Sequence, residues 1–240
     1  QAPCQVGDHK GLFLRGKLIE VPRQYEELAT DVVAMRLELT GDGEPPDLAL
    51  ANPQAGLFLR LETDRHLQPF GKEPAIDSAL YLACSRVLEH PDADVRIDVE
   101  LADAHAVPPP LPSHDLVVQW EYWNGKRWKL LGRSGIGDYD GEDPGHGFAD
   151  ETQCLTSSGY IAFRRPRDMQ ATDVHGKDAT WVRARIERGD YGVPGSYELE
   201  NDRWVWKDTR PLRPPTLRSV SLRFVETEHA LDKVLAYNDF

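Results

Sequence analysis

The chain is poor in cysteine, has no long apolar run and has no surplus of basic residues, and each shortage removes a class of function. Its three cysteines, Cys4, Cys84 and Cys154, stand far apart with no CxxC or other ligand spacing, which argues against a zinc site or a redox motif. Cys84 and Cys154 read as small buried apolar side chains within strands, suited to a reducing compartment. No apolar stretch approaches the roughly 20 residues of a membrane helix. The opening QAPCQVGDHK has no basic segment followed by an apolar one, so the expectation is a soluble chain with no visible export signal and no membrane insertion. A formal net charge of -12, with arginines scattered rather than clustered, argues against a nucleic-acid partner. The sequence also lacks HExxH, GxGxxG and Walker-type glycine loops and any nucleophile elbow, so neither an enzymatic role nor a cofactor is expected.

What the chain does have is strand-type sequence punctuated by 19 glycines and 18 prolines. Val95, Ile97, Val99 and Leu101 face one way and Arg96, Asp98 and Glu100 the other, the pattern of a half-buried antiparallel strand. The same alternation sets Val182, Ala184 and Ile186 against Arg183, Arg185 and Glu187, and puts Val220, Leu222 and Phe224 on one face. Further strands are predicted at 57–62, 80–83, 160–164 and 203–207. Residues 11–21 read as one or two strands, 23–35 as either a short helix or the approach to a strand over 31–40, and 41–47 as a loop. VPPPLP at 107–112 cannot enter a central strand and is expected to cross the surface as a stiff loop. The spacing implies an all-β protein, an antiparallel β-sandwich of the jelly-roll or Greek-key type over residues 57–227. A strand-rich segment, 1–56, precedes it, and 228–240 begins a following segment.

The stretch LVVQWEYWNGKRWKLL, residues 116–131, concentrates Trp120, Tyr122, Trp123 and Trp128 in two runs around Asn124-Gly125. Asn-Gly is the strongest short-range signal for a two-residue hairpin turn, because positive φ is inexpensive for these two residues. With such a turn, Trp120 and Tyr122 join Leu116 and Val118 on the core face, while Trp123 and Trp128 join Gln119 and Glu121 on the other. Trp123, Trp128, Arg183 and Arg185 are therefore the candidate exposed interface residues, and Trp120, Tyr122, Ile186 and Phe224 the candidate core.

Two other features invite chemistry. Asp138, Asp140, Glu142 and Asp143 in a glycine-rich loop resemble a calcium loop, although the EF-hand glutamate and flanking helices are missing; a solvated acidic loop is the plainer reading. His146 beside Asp143 and Asp150 suggests acid–base work, but neighbouring glycines give it no rigid support. The tryptophan hairpin also suits a sugar platform, so a carbohydrate-binding or host-recognition module using Trp123 and Trp128, with or without calcium at the acidic loop, is the runner-up function.

Several segments read together carry a family likeness. PFGKEPAIDSALYLA (69–83), VVQWEYWNGKRWKLL (117–131), DETQCLTSSGYIAFRRPRDM (150–169), WVRARIERGDYGVP (181–194) and VLAYNDF (234–240) occur in that order. Over residues 66–240 the chain resembles baseplate assembly proteins of phage-tail-like contractile injection systems, of the baseplate-J or wedge type. The most specific parts are WEYWNG..W..L, LT.SG.I.F..P.D and W.RARI..G.YG. The resemblance implies a non-enzymatic structural protein that meets other baseplate, spike or hub, and sheath proteins, assembling in the cytoplasm and residing in the particle. It carries no catalytic or cofactor residues. The family's members run longer, which implies that the chain is an excised piece. GIGDYDGEDPGHG replaces the short connection usual after WNG..W..L.

Overall fold

A computed structural model describes residues 43–90, 93–136, 141–193, 195–207 and 210–226, and the backbone of three short strands before them. The chain divides into two compact units, residues 1–35 and 36–240. In the first, β1 (Cys4–Val6) and β2 (His9–Gly11) pair antiparallel, Cys4 opposite Gly11. The readings made for the rest of 11–38 and for 228–240 lie outside the described residues, as do Asp138 and Asp140.

The second unit holds β3 (Leu39–Thr40), β4 (Leu48–Gln54), β5 (Leu57–Arg60), β6 (Ala79–Ala83), β7 (Asp94–Leu101), β8 (Val117–Trp123), β9 (Trp128–Gly135), β10 (Ala149–Asp150), β11 (Gly159–Arg164), β12 (Ala171–Val174), β13 (Lys177–Arg188), β14 (Ser196–Glu200), β15 (Arg203–Lys207) and β16 (Leu217–Glu226). One helical turn, α1 (Ser85–Leu88), interrupts them. The larger sheet runs β5-β4-β6-β13-β8-β9, with β12 paired beside β13, and the smaller runs β10-β11-β7-β16-β3. Every pairing among the described residues of these sheets is antiparallel. Late strands return between early ones: β13 enters between β6 and β8, and β16 between β7 and β3. Such returns distinguish a Greek-key sandwich from a meander. The sandwich starts ahead of residue 57, because β3 and β4 belong to its sheets. Ala49, Leu50 and Ala51 are all buried, so β4 lacks the alternation that marks a one-sided strand.

Alternation elsewhere decides what lies between the sheets. Val95, Ile97 and Val99 of β7, with Ile161, Phe163, Val220 and Leu222 from its neighbours, meet Leu80, Leu82, Val118, Trp120, Tyr122, Val182 and Ile186 of the larger sheet in one core. Trp120, Tyr122 and Ile186 are fully buried; Phe224 packs at the core's margin, stacked on His90 at 4.2 Å. Burying side chains of this size stabilises by about 1.5–3 kcal/mol each. The proline-rich stretch at 107–112 connects β7 to β8, and so carries the chain from one sheet to the other.

The tryptophan hairpin does not close in two residues. Trp123 pairs with Trp128, leaving Asn124 to Arg127 as the loop. The Asn124 side-chain oxygen accepts from the N–H groups of Lys126 and Arg127 at 3.1 and 2.9 Å, and only Gly125, φ 87°, has a positive φ in it. Side-chain closure by Asn124 and the edge-on Trp123–Trp128 contact, 5.7 Å between ring centres, go with this longer form. The loop grows by two residues rather than one, so the strand faces keep the sides expected of them.

The cysteines also depart from expectation. Cys84 and Cys154 are buried, yet neither lies in a strand: Cys84 sits just before α1, and Cys154 lies in the turn after β10 with φ 60°. That turn is built around Asp150, whose carboxylate accepts from Thr152 N–H at 2.7 Å and Cys154 N–H at 3.2 Å. Local side-chain bonding thus displaces a strand that cysteine's apolar character alone had suggested.

Candidate interaction face

The outer side of the larger sheet carries a second apolar cluster, separate from the core between the sheets: Leu50, Ala79, Tyr81, Ala83, Val174 and Trp181, with Leu48, Phe58, Trp128 and Ala179 at its edge. Strand registry assembles it. Arg183 stands opposite Tyr81 on one side and Glu121 on the other, and Arg185 opposite Ala79 and Gln119. Leu50 pairs with Tyr81 from β4, and Trp123 with Trp128 across β8 and β9. The result is a continuous aromatic strip. Tyr81 meets Trp128 edge-on at 5.7 Å and Trp181 at 6.3 Å, while Phe58 stacks on His175 at 4.9 Å. Arg183 lies over the Trp128 ring, 4.2 Å from its centre.

Charges run beside the strip in fixed pairs. Arg183 donates from Nε to Glu121 at 2.7 Å and from Nη1 to the Tyr81 hydroxyl at 3.3 Å. Arg185 bonds Asp77, lies 3.5 Å from the same Glu121, and also donates to the side-chain oxygen of Gln119 once that amide is oriented to accept. Burial by itself would lower the Arg183 pKa; the Glu121 carboxylate outweighs it and holds the guanidinium above its ordinary value. Arg133 continues the row, bonded to Glu187 at 2.6 Å and to Glu142.

The expected contact residues therefore lie together, but not as free side chains. Trp123, Trp128, Arg183 and Arg185 are half-buried rather than exposed, and both arginines are held by neighbours on the same face. Tyr81, Trp181 and Phe58 were not singled out from the sequence. Tyr81 sits in a run apolar on both sides, where alternation says nothing of facing; Trp181 continues the Arg183 and Arg185 register, so its signal was that same alternation. Trp204 and Trp206, on the β14–β15 hairpin, were also missed as candidates; their signal was the alternation of YELE and RWVWK around Asn201-Asp202.

The residues considered for chemistry have other occupations. Glu142 pairs with Arg133, and the Asp143 carboxylate accepts from the N–H groups of Gly145, His146 and Gly147 at 2.9, 2.7 and 2.9 Å. Burial would raise the Asp143 pKa, but these donors win and hold its carboxyl below the usual range. The His146 ring lies edge-on to Tyr122, and Asp150 caps its own turn. Among the described residues no group of three or more histidine, cysteine, aspartate or glutamate side chains is placed to hold a metal ion. A cavity of about 330 Å³ is bordered by Arg133, Glu142, Asp143 and Asp150, the charged groups whose bonds have just been given. Burial pushes the Cys154 thiol up to about 12 and the Cys84 thiol up to about 11, so neither is a ready nucleophile.

The molecule thus belongs, by structure, to the all-β sandwich class, with an aromatic and arginine-lined outer face. No family model matches the chain, and no curated protein matches it.

Proposed function

We propose that this chain is a non-enzymatic structural component of a phage-tail-like contractile injection baseplate, acting through protein–protein interfaces. The observation that carries this reading is the meeting of the two most specific stretches of the resemblance. WEYWNG..W..L and W.RARI are about 60 residues apart, yet they lie on adjacent strands, Arg183 opposite Glu121. Their outward residues, Glu121, Trp123, Trp128, Arg183 and Arg185, form one face. An assembly part needs a rigid sheet that presents aromatic and arginine anchors with a polar rim. Arginines already fixed by carboxylates lose less side-chain freedom on docking than free ones. The acidic balance of the chain supports solubility before assembly. The alternative, sugar stacking on the tryptophan hairpin, is less favoured because Arg183 occupies a face of Trp128 and Trp123 stands edge-on to it.

The test is to purify particles from cells that express the tagged chain with the reading frames flanking its gene. The chain should co-purify with sheath, hub and spike proteins. Trp128→Ala with Arg185→Ala should lower its recovery in particles by about tenfold or more, the scale of losing an interface anchor, while circular dichroism stays unchanged. Absence of the unaltered chain from particles would sink the reading. Calcium-dependent glycan binding lost in Trp128→Ala would do the same and favour a carbohydrate module.

A further inference from the structure

The hairpin of β14 and β15 stands apart from both sheets of the sandwich and pairs only with itself. Its register, Tyr197 opposite Trp206 and Leu199 opposite Trp204, puts these four side chains on one face. They are 64 %, 53 %, 57 % and 68 % exposed. The other face is mostly polar, with Val205 among charged side chains and Lys207 bonded to Glu198 and Glu200. Asn201 and Asp202, both at positive φ, close the turn and pin the register. An isolated two-stranded hairpin is marginal in water, and this one turns its apolar side outward. At roughly 150–250 Å² for each aromatic side chain, the patch is on the order of 500 Å², at the upper end for a monomer.

A concave counterpart lies on the same molecule. β5 ends the larger sheet, and while its Phe58 joins the outer cluster, Leu57 and Leu59 point to the inner side and stay exposed. They open into a cavity of about 710 Å³ that Leu61 and Leu67 extend. Its border carries Arg60, Arg65 and Lys72 against Glu62 and Glu73, a locally positive site on a chain of net charge -12. The hairpin end that carries Glu200 and Asp202, with Arg203 opposite Glu200, has a net charge of the opposite sign. Among the described residues, every exposed large apolar side chain except Ile76, Val193 and Val205 falls in one of these two patches.

Tyr191, just before the hairpin, stacks on Phe70 at 5.9 Å, and Gly71 beside Phe70 borders the cavity. Because one chain carries both surfaces, two copies can exchange hairpins around a twofold axis, each filling the other's cavity. One insertion covers about 500 Å² on each partner, short of the roughly 800 Å² per partner of a stable interface. Two reciprocal insertions cover about 1,000 Å² on each, which is enough. We propose that the chain forms a twofold dimer in which the Tyr197, Leu199, Trp204 and Trp206 face of each copy occupies the Leu57–Leu59 cavity of the other. The inference stands apart from the baseplate reading and rests on these two surfaces alone.

Sedimentation equilibrium on the full chain tests it. The expected mass is twice that of the chain at micromolar concentration. Trp204→Ser with Trp206→Ser should give a monomer, and so should Leu57→Asp with Leu59→Asp, each with an unchanged circular dichroism spectrum. Mixing these two variants leaves one insertion intact, so a heterodimer should reappear at least tenfold weaker than the parent dimer. A parent chain that stays monomeric at about 100 µM, where even weak dimers of tens-of-micromolar affinity are populated, overturns the proposal. So does a cavity variant that dimerises like the parent, which would indicate hairpin-on-hairpin pairing. A mass that climbs without limit would indicate an open chain of copies and refute the closed exchange.

Discussion

Glu121→Ala removes the carboxylate that holds Arg183 at 2.7 Å and faces Arg185 at 3.5 Å, and leaves both guanidinium groups without it. The pair is well covered, with side chains 16 % exposed for Arg183 and 9 % for Glu121. Deleting one partner of a buried pair costs about 3–5 kcal/mol, because the other charge stays desolvated. Arg183 keeps the Tyr81 hydroxyl and the Trp128 ring, and Arg185 keeps Asp77, which places the expected loss near the lower end, about 3 kcal/mol. Glu121→Gln retains an acceptor and should lose about 1–2 kcal/mol. Combining Glu121→Leu with Arg183→Met removes both charges while an apolar stem still covers Trp128, and should recover most of the loss. Urea unfolding followed by tryptophan fluorescence measures all three, with an unchanged slope as the check that the unfolded state is the same. A loss below about 1 kcal/mol for Glu121→Ala would put the pair with ordinary surface pairs and refute the reasoning. A double variant no better than the sum of its parts, with coupling under about 0.5 kcal/mol, would refute it as well.

Two further outcomes follow from the titrating groups. In a Cys4→Ser background, Cys84 and Cys154 should resist a thiol reagent at pH 8 in the folded protein and react fully in denaturant, since burial raises both thiols; rapid native labelling of Cys154 would contradict its buried place. Asp143, held low by backbone donors, and Asp168, held low first by Lys129, have folded pKa values below their unfolded ones. Their contribution is complete above about pH 4, the unfolded aspartate value, and is lost as pH falls through the folded pKa. The urea midpoint should therefore drop below pH 4, and Asp143→Asn should flatten part of that drop; a midpoint level from pH 5 to about pH 2 would contradict this.

How far the sequence reached differs from strand to strand. The alternating runs at Val95 to Leu101, Val182 to Ile186 and Val220 to Phe224 announced their own strands, because a one-sided strand writes its period of two directly into the chain. Ala49 to Ala51 and Ala79 to Ala83 are buried on both faces and carry no period, so β6 was legible as a strand only from its apolar run and β4 was not expected at all. The Asn124-Gly125 pair marked where the chain reverses but not the length of the loop, which the Asn124 side chain and the tryptophan pairing determine. Arg183 and Arg185 were rightly placed opposite the core. Their capture by Glu121 and Asp77 depends on β13 entering between β6 and β8, a long-range pairing that no local pattern encodes. Local side-chain periodicity by itself determined an antiparallel all-β chain and the inner and outer faces of its clearest strands. Only the tertiary structure decided which outer faces are covered, because cover comes from strands remote in sequence: the Trp128 face is lined by charge pairs, while the hairpin of Trp204 and Trp206 is left open.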